Sequence, residues 1–437
     1  MKPTYDYLKK AFREKDSEAQ TRIFTFLLSA ILISIPLKYA YGSITSILFI
    51  LTAFISFTKS RYNLQKEILL PIALYILMMV SVFWTRDVKL TMAGLQKEML
   101  FLFIPAAFIF VPKLSKNAVN KVIQYYSYAM VVFALFYFGK AVYRYTETKN
   151  TAVFFYHELV TLDVNAIYVS VFASLAMFYF LSQKPKKLID QIATAILIIL
   201  VFLLSSKSII FIDFILVACY YSFFLDIPKS VRLLTVTSVA CFLVFSLVFV
   251  KQIRERFIIE YETAFVDNTV NEEIGKGDAK VYNISLNQAW NNEKFQPNHF
   301  FPGTAMRVFQ GRIFTEMVAE DNIFFTGYGL EASQFKIREK AQEKNLYQGY
   351  GDFNFHNQYI QTFAELGFFG FLILILMLYY NIKNALANQN FLHIVFAVTM
   401  IILFLTESFF CRQRGIIFFI TLYCLFNTML RPQAEKN

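Results

Sequence analysis

Apolar residues fall along this chain in runs of about 16 to 22 positions, close to the length a helix needs to cross ~30 Å of hydrocarbon at ~1.5 Å per residue. Such runs occupy 23–38, 43–58, 68–83, 95–111, 122–140, 163–181, 190–204, 208–225, 231–250, 360–380, 391–409 and 414–430, with short charged segments between them. They lack the alternation of a strand and the single apolar stripe of a soluble helix. The pattern predicts an all-α, polytopic membrane helical bundle of about twelve transmembrane helices. One segment breaks the rhythm. Residues 251–358 are polar and long enough to fold over one membrane face. Within them, Asn268 to Pro302 reads as loop, while Gly311–Asp321 and Gln334–Lys344 have helical composition and few breakers. The chain thus divides into spans one to nine (1–250), a large loop containing short helices (251–358), and spans ten to twelve with a tail (359–437).

Composition agrees with that reading: 57% of residues are hydrophobic, 18% aromatic, and the mean hydropathy is +0.47. The first 22 residues are charged and the run after them carries no small-residue cleavage site, so the first span is expected to be retained. The four cysteines, Cys219, Cys241, Cys411 and Cys424, lie in or beside spans and have neither metal-site nor disulfide spacing. A net charge of +11 invites a nucleic-acid reading, and the distribution of basic residues removes it. With the N-terminus cytoplasmic, the inner segments hold 20 Lys and Arg, the short outer loops 10, and the long loop 12 set against 15 acidic residues. The positive-inside rule then puts both termini in the cytoplasm and the long loop outside. A reporter active only in the periplasm should therefore work when fused near Gly275 and stay silent near Asn388; the reverse pattern would invert the topology.

The candidate chemistry gathers on that outer face. His356 stands at the interface, followed by Asn357, Gln358 and Tyr359 and then by span ten with Glu365 and Gly367. An interfacial histidine can accept a proton near neutral pH, and it can equally anchor a helix end. Arg312 offers a permanently charged fork suited to phosphate oxygens; pairing with Glu316 or Glu320 is its plainer reading. Gly327 and Gly329 permit close backbone approach. Lys207 is the only charge in a tight outer turn between spans seven and eight, able to meet a phosphate or simply to snorkel. Asp213 is expected to pair with another helix, and Glu365 and Glu407 with Arg412 and Arg414. Trp84 suits the interfacial aromatic belt, with the charges after it capping the next helix. His157 reads as an outer-loop residue, and neither His299 nor His393 has the acidic neighbours of a metal site. No metal or other cofactor is expected.

In order along the chain, Trp84-Thr85-Arg86-Asp87, Ser206-Lys207-Ser208, Gly311-Arg312, Gly327-Tyr328-Gly329 and His356-Asn357-Gln358-Tyr359 with Ala364-Glu365-Leu366-Gly367 resemble the O-antigen ligase family. The resemblance runs from about span two to span twelve. It implies a helical bundle similar to the GT-C glycosyltransferases, acting at the periplasmic face of a bacterial inner membrane. The implied donor is a glycan on undecaprenyl diphosphate, and the implied acceptor is lipid A core or another glycan hydroxyl. By the same resemblance His356 is the catalytic residue and Arg312 the outer-loop arginine. Lys207 stands where the family has an arginine, which keeps charge and loses the bidentate fork. The family's tryptophan beyond Arg312 is replaced by the stretch holding Phe314 and Met317.

The expected reaction is a metal-independent, inverting transfer in which His356 is general base and Arg312 and Lys207 hold the diphosphate. Asn357, Tyr359, Gly327, Gly329 and Glu365 support the site. Ligase, polymerase and protein O-glycosyltransferase remain alternatives within the family. A twelve-span lipid-sugar transporter is the rival outside it, although no internal repeat of the transporter kind is visible. A membrane scaffold without chemistry is the third reading.

Overall fold

The computed structural model describes residues 17–56, 64–161, 164–234, 260–271 and 280–429, with single positions 237, 241, 244, 254 and 274. The fold is an all-α polytopic membrane bundle. Five helices are long and apolar enough to cross a bilayer: Lys66–Phe83, Val88–Phe110, Lys116–Thr148, Lys207–Phe224 and Gln358–Ala387. Five further apolar helices are shorter: Tyr39–Ile55, Ala166–Ser182, Leu188–Leu203, Phe391–Leu403 and Gln413–Asn427. The run at 231–250 lies largely outside the described residues.

Short polar side chains start these helices by accepting from amides that have no intrahelical partner. Asp87 accepts from the Leu90 amide at 3.0 Å, Asn165 from Ile167 at 2.8 Å, Asn357 from Ile360 at 3.0 Å and Asn390 from His393 at 3.2 Å. Gln413–Asn427 is apolar on every side and buried from Arg414 to Asn427, which makes it a central helix rather than a lipid-facing one. Phe418 and Phe419 pack on Phe396, and Phe419 also meets Phe404 and Phe410.

The long polar segment is more structured than its composition indicates. Within the stretch read as loop, Thr269–Val270 pairs antiparallel with Tyr282–Asn283, which pairs in parallel with His299–Phe300. A short helix, Leu286–Asn291, follows the middle strand, with Ser285 as its cap. Two-residue strands leave no alternation for a sequence pattern to display. The helices Gly303–Glu320 and Ser333–Glu343 match the two helical stretches, the first beginning eight residues earlier than its composition suggested. This segment has its own apolar core, built on Phe295, Phe301, Phe309, Ile313, Met317, Ile337 and Phe355.

A backbone joint ties this polar segment to the bundle. Gly367 interrupts the Gln358–Ala387 helix with φ +64° and ψ −162°, so carbonyls just before it lose their helical partners. The loop 323–330 supplies substitutes. Tyr328 and Gly329 donate their amides to the Ala364 and Glu365 carbonyls at 2.9 Å each, and the Phe368 amide returns to the Phe324 carbonyl at 2.7 Å. On its other side the loop is held by the end of Lys66–Phe83 and the turn after it. Arg86 donates its amide to the Tyr328 carbonyl at 2.9 Å, Trp84 Nε1 donates to the Thr326 carbonyl at 2.9 Å, and Thr91 Oγ1 donates to the Leu330 carbonyl at 2.8 Å. Non-helical backbone near a membrane is tolerated where protein satisfies its polar groups in this way. Gly327 (φ +64°) and Gly329 (φ +98°) are required as glycines: a Cβ would stand 2.3 Å from the Glu365 carbonyl carbon in one case and 2.4 Å from Thr85 Oγ1 in the other. Glu365 is buried behind the joint and accepts from Gln361 Nε2 at 2.5 Å.

Candidate functional site

Between the bundle and the long polar segment lies a cavity of about 1190 Å³. His356, Lys207, Arg307, Arg412, Glu260 and Glu407 line its charged part; Tyr156, His157, His299, Tyr347, Tyr350 and Phe353 line its aromatic part.

The chain after His356 is fixed by the turn at 404–410. Asn357 donates its amide to Ser408 Oγ at 3.1 Å and its Nδ2 to the Leu405 carbonyl at 3.2 Å. The Gln358 amide reaches the Phe404 carbonyl at 2.8 Å, and its Oε1 accepts from the Phe410 amide at 2.8 Å. Tyr359 Oη donates to the Ile401 carbonyl at 2.8 Å. Asn357 and Tyr359 therefore clamp the start of the helix that follows His356 against the Phe391–Leu403 helix and the turn after it. His356 itself has φ +47°, a conformation that costs a non-glycine residue of order 1–3 kcal/mol and gathers at functional sites. Its Nδ1 is buried without a hydrogen bond and faces Glu407 Oε2 at 3.8 Å. The ring also meets Phe353, 5.9 Å away between centroids.

The same turn reaches the two cationic helices. Arg307 donates Nε and Nη2 to the Thr406 carbonyl at 3.1 and 3.0 Å, and Ser208 Oγ lies 3.0 Å from Thr406 Oγ1. Lys207, at the start of Lys207–Cys219, pairs with Glu260 at 2.8 Å. Burial alone would raise the Glu260 carboxyl. Its bonds from Lys207 and Thr304, with the charges of Lys207 and Arg307, outweigh that and hold it below the ordinary glutamate value.

The structure thus brings Lys207 and His356 to one cavity and leaves Arg312 out of it. Arg312 donates Nε to Glu316 Oε1 at 2.8 Å and Nη1 to the Asn292 carbonyl at 2.7 Å. Glu316 also meets Lys344 at 3.0 Å and Lys340 at 3.6 Å, so Arg312 belongs to the ion pairs fastening Gly303–Glu320 to Ser333–Glu343. Burial by itself would raise Glu316; its bonds and charge contacts with Lys344 and Arg312 bring it below the usual range. Arg307 points into the cavity instead. Five residues apart on one helix, at ~100° per residue, the two arginines face about 140° from each other.

Other expectations are corrected as well. Arg414 pairs with neither Glu365 nor Glu407: it donates to the Ile35 and Leu37 carbonyls at 3.0 and 2.7 Å and lies over the Tyr39 ring. Glu407 faces His356 instead. Gly327, Gly329 and Glu365 form and back the joint and do not line the cavity. His157 and His299 do line it. Asp213 accepts from Ser174 Oγ at 2.5 Å on the Ala166–Ser182 helix, in keeping with an interhelical partner. His393 is buried on Asn381 at 2.8 Å and does not line the cavity. Among the described residues no group of three or more His, Cys, Asp or Glu converges as a metal site.

Residues 192–375 match the model of a protein family described as O-antigen ligase. That stretch contains Lys207, Glu260, Arg307, His356, the 323–330 loop and Gly367, and leaves out the 84–91 side of the joint, Glu407 and Arg412. A search of curated proteins returns no match.

Proposed function

We propose that this chain, a membrane member of the O-antigen ligase family, transfers a glycan from a polyprenyl-diphosphate donor, of the undecaprenyl kind, to an acceptor hydroxyl at the periplasmic face of a bacterial inner membrane. The observation that carries the reading is the meeting of His356 with Lys207, Arg307 and Arg412 in one outer cavity. The attacking hydroxyl gives its proton to His356 as the new glycosidic bond forms. The bond from the anomeric carbon to the diphosphate oxygen breaks, and the electron pair leaves with the diphosphate. Displacement from the opposite face inverts the anomeric centre. A general base of this sort contributes about 10²- to 10⁴-fold. Lys207 and Arg307 meet the charge that grows on the departing diphosphate, where a fixed cation favours the transition state over the ground state.

Glu407 supports this assignment. A carboxylate facing Nδ1 favours the tautomer that leaves Nε2 as the proton acceptor and stabilises the imidazolium once it forms. Arg307 takes the diphosphate role expected of Arg312, because it lines the cavity with its fork bonded to the neutral Thr406 and Gly303 carbonyls, whereas Arg312 lies outside it and is neutralised by Glu316. An acceptor of the lipid A core type makes the protein a ligase, and a second lipid-linked glycan makes it a polymerase; the aromatic wall of the cavity suits a sugar face in either case.

The test is transfer of a lipid-linked glycan by purified protein beside a donor-binding measurement. Arg307→Ala should weaken donor binding about tenfold or more, the scale of one lost charge-assisted contact at ~1.5–3 kcal/mol. Arg312→Ala should leave donor affinity within a few fold while lowering the melting temperature. Donor affinity lost with Arg312 and kept without Arg307 would reverse the assignment, and no transfer to any glycan acceptor by the parent protein would remove the function.

A further inference from the structure

The first turn of Gly303–Glu320 holds a carboxylate in the manner of an anion site. Glu260 Oε2 accepts from the Thr304 amide at 3.2 Å and from the Thr304 hydroxyl, and Oε1 accepts from Lys207 Nζ at 2.8 Å. Arg307, one turn along, acts on the same carboxylate through its charge. A Cβ on Gly303 would stand 2.9 Å from Glu260 Oε1 and 3.3 Å from Arg307 Nη1, so glycine leaves room for the anion to approach the backbone. Amides at a helix N-terminus, a hydroxyl, a lysine and an arginine are the donor set that binds phosphate. Here two carboxylate oxygens present the edge that two phosphoryl oxygens would.

We propose that this is the seat of one phosphate of the donor diphosphate, and that Glu260 is a built-in occupant that the donor displaces. The proposal rests on the donor assigned above and adds the Thr304 amide and hydroxyl to its binding groups. Two anions cannot share the seat. A diphosphate entering beside Glu260 would meet a carboxylate already paired with Lys207, and its charge would oppose binding until the glutamate side chain swings out. Occupation by Glu260 lowers the apparent donor affinity by the fraction of time the seat is free. It also keeps Lys207 compensated between turnovers.

A purely structural Glu260 predicts the opposite sign. If Glu260 serves to position Lys207, neutralising it loosens the lysine and weakens donor binding. If Glu260 is the occupant, Glu260→Gln and Glu260→Ala both tighten it. The measurement is binding of inorganic pyrophosphate and of undecaprenyl diphosphate to detergent-purified full-length protein, with glycan transfer assayed on the same preparations. Glu260→Gln should bind pyrophosphate about tenfold more tightly than the parent, the factor expected of an occupant present about nine-tenths of the time. Adding Gly303→Ala to Glu260→Gln should reverse several fold of that gain, because its methyl enters the seat while alanine suits a helical first turn. Unchanged or weaker pyrophosphate binding in both Glu260 variants, in protein that still transfers glycan, would overturn the proposal. Tighter pyrophosphate binding in those variants with no glycan transfer by the parent would keep the anion seat and sink the glycosyltransferase reading instead.

Discussion

Replacing His356 with alanine should lower glycan transfer by two to four orders of magnitude while leaving the protein inserted, folded and able to bind its donor. The magnitude is that of a general base, about 10²- to 10⁴-fold. The separation follows from where the side chain acts. His356 takes a proton from the acceptor hydroxyl in the transition state, so its loss falls on turnover and not on the hold over the lipid diphosphate, which Lys207 and Arg307 provide. The imidazole is about one-third exposed and makes no side-chain hydrogen bond at Nδ1, so truncation creates no large cavity and removes no bond from the core. It also relieves little of the backbone strain, since alanine meets the same φ of +47°; His356→Asn, a residue more tolerant of that conformation, should match its loss of transfer and be at least as stable. A stable His356→Ala protein that transfers at the parental rate would remove the mechanism. Loss of donor binding in step with turnover would move His356 from the acceptor side of the reaction to the diphosphate side.

How far the sequence could carry the site is seen in the two arginines. Arg312 stands out in the sequence because Gly311 begins the stretch of helical composition and the family resemblance falls on Gly311-Arg312. The helix in fact begins at Gly303. Helical phase cannot be assigned without its start, and an error of eight residues leaves open which of Arg307 and Arg312 faces the cavity. The Glu407 contact was hidden for another reason: it pairs residues 51 positions apart across two spans, and its turn shows only as a brief polar interruption at Thr406-Glu407-Ser408. The bundle was legible because burial in lipid requires long apolar runs that nothing else in a chain produces. The short strands and the helix kink were not. A kink at Gly367 leaves the apolar run unbroken, and it exists because amides from a loop forty residues earlier are available to receive the carbonyls it frees. The tryptophan turn, the glycine loop and the glycine after Glu365 read as three separate motifs and are one piece of structure.

That joint carries the second large effect. Gly367→Ala should destabilise the protein by on the order of 3 kcal/mol or more, since a non-glycine residue at such a backbone angle costs about 1–3 kcal/mol and forced overlap in a packed site adds a comparable amount. The added Cβ would stand 2.3 Å from the Phe325 carbonyl carbon, an atom of the backbone that cannot rotate away. Either the loop moves off the helix, orphaning the Ala364 and Glu365 carbonyls, or the helix straightens and shifts everything above the kink. Both routes disturb the cavity from a distance, because His356 lies just before the first turn of the same helix and Arg307 lies on the helix that feeds the loop. Activity should fall with stability, and donor affinity with both, in contrast to the isolated turnover defect of His356→Ala. Gly139→Ala, inside the Lys116–Thr148 helix, is the control: a Cβ there would meet nothing within 4 Å, and its backbone has no positive φ, so alanine fits and suits the helix. Thermal unfolding in detergent, followed beside donor binding for the two variants, separates the outcomes. A Gly367→Ala protein as stable and as active as the parent would mean that the helix runs through residue 367 unbroken and that the glycine loop is held by something other than the carbonyls the break exposes.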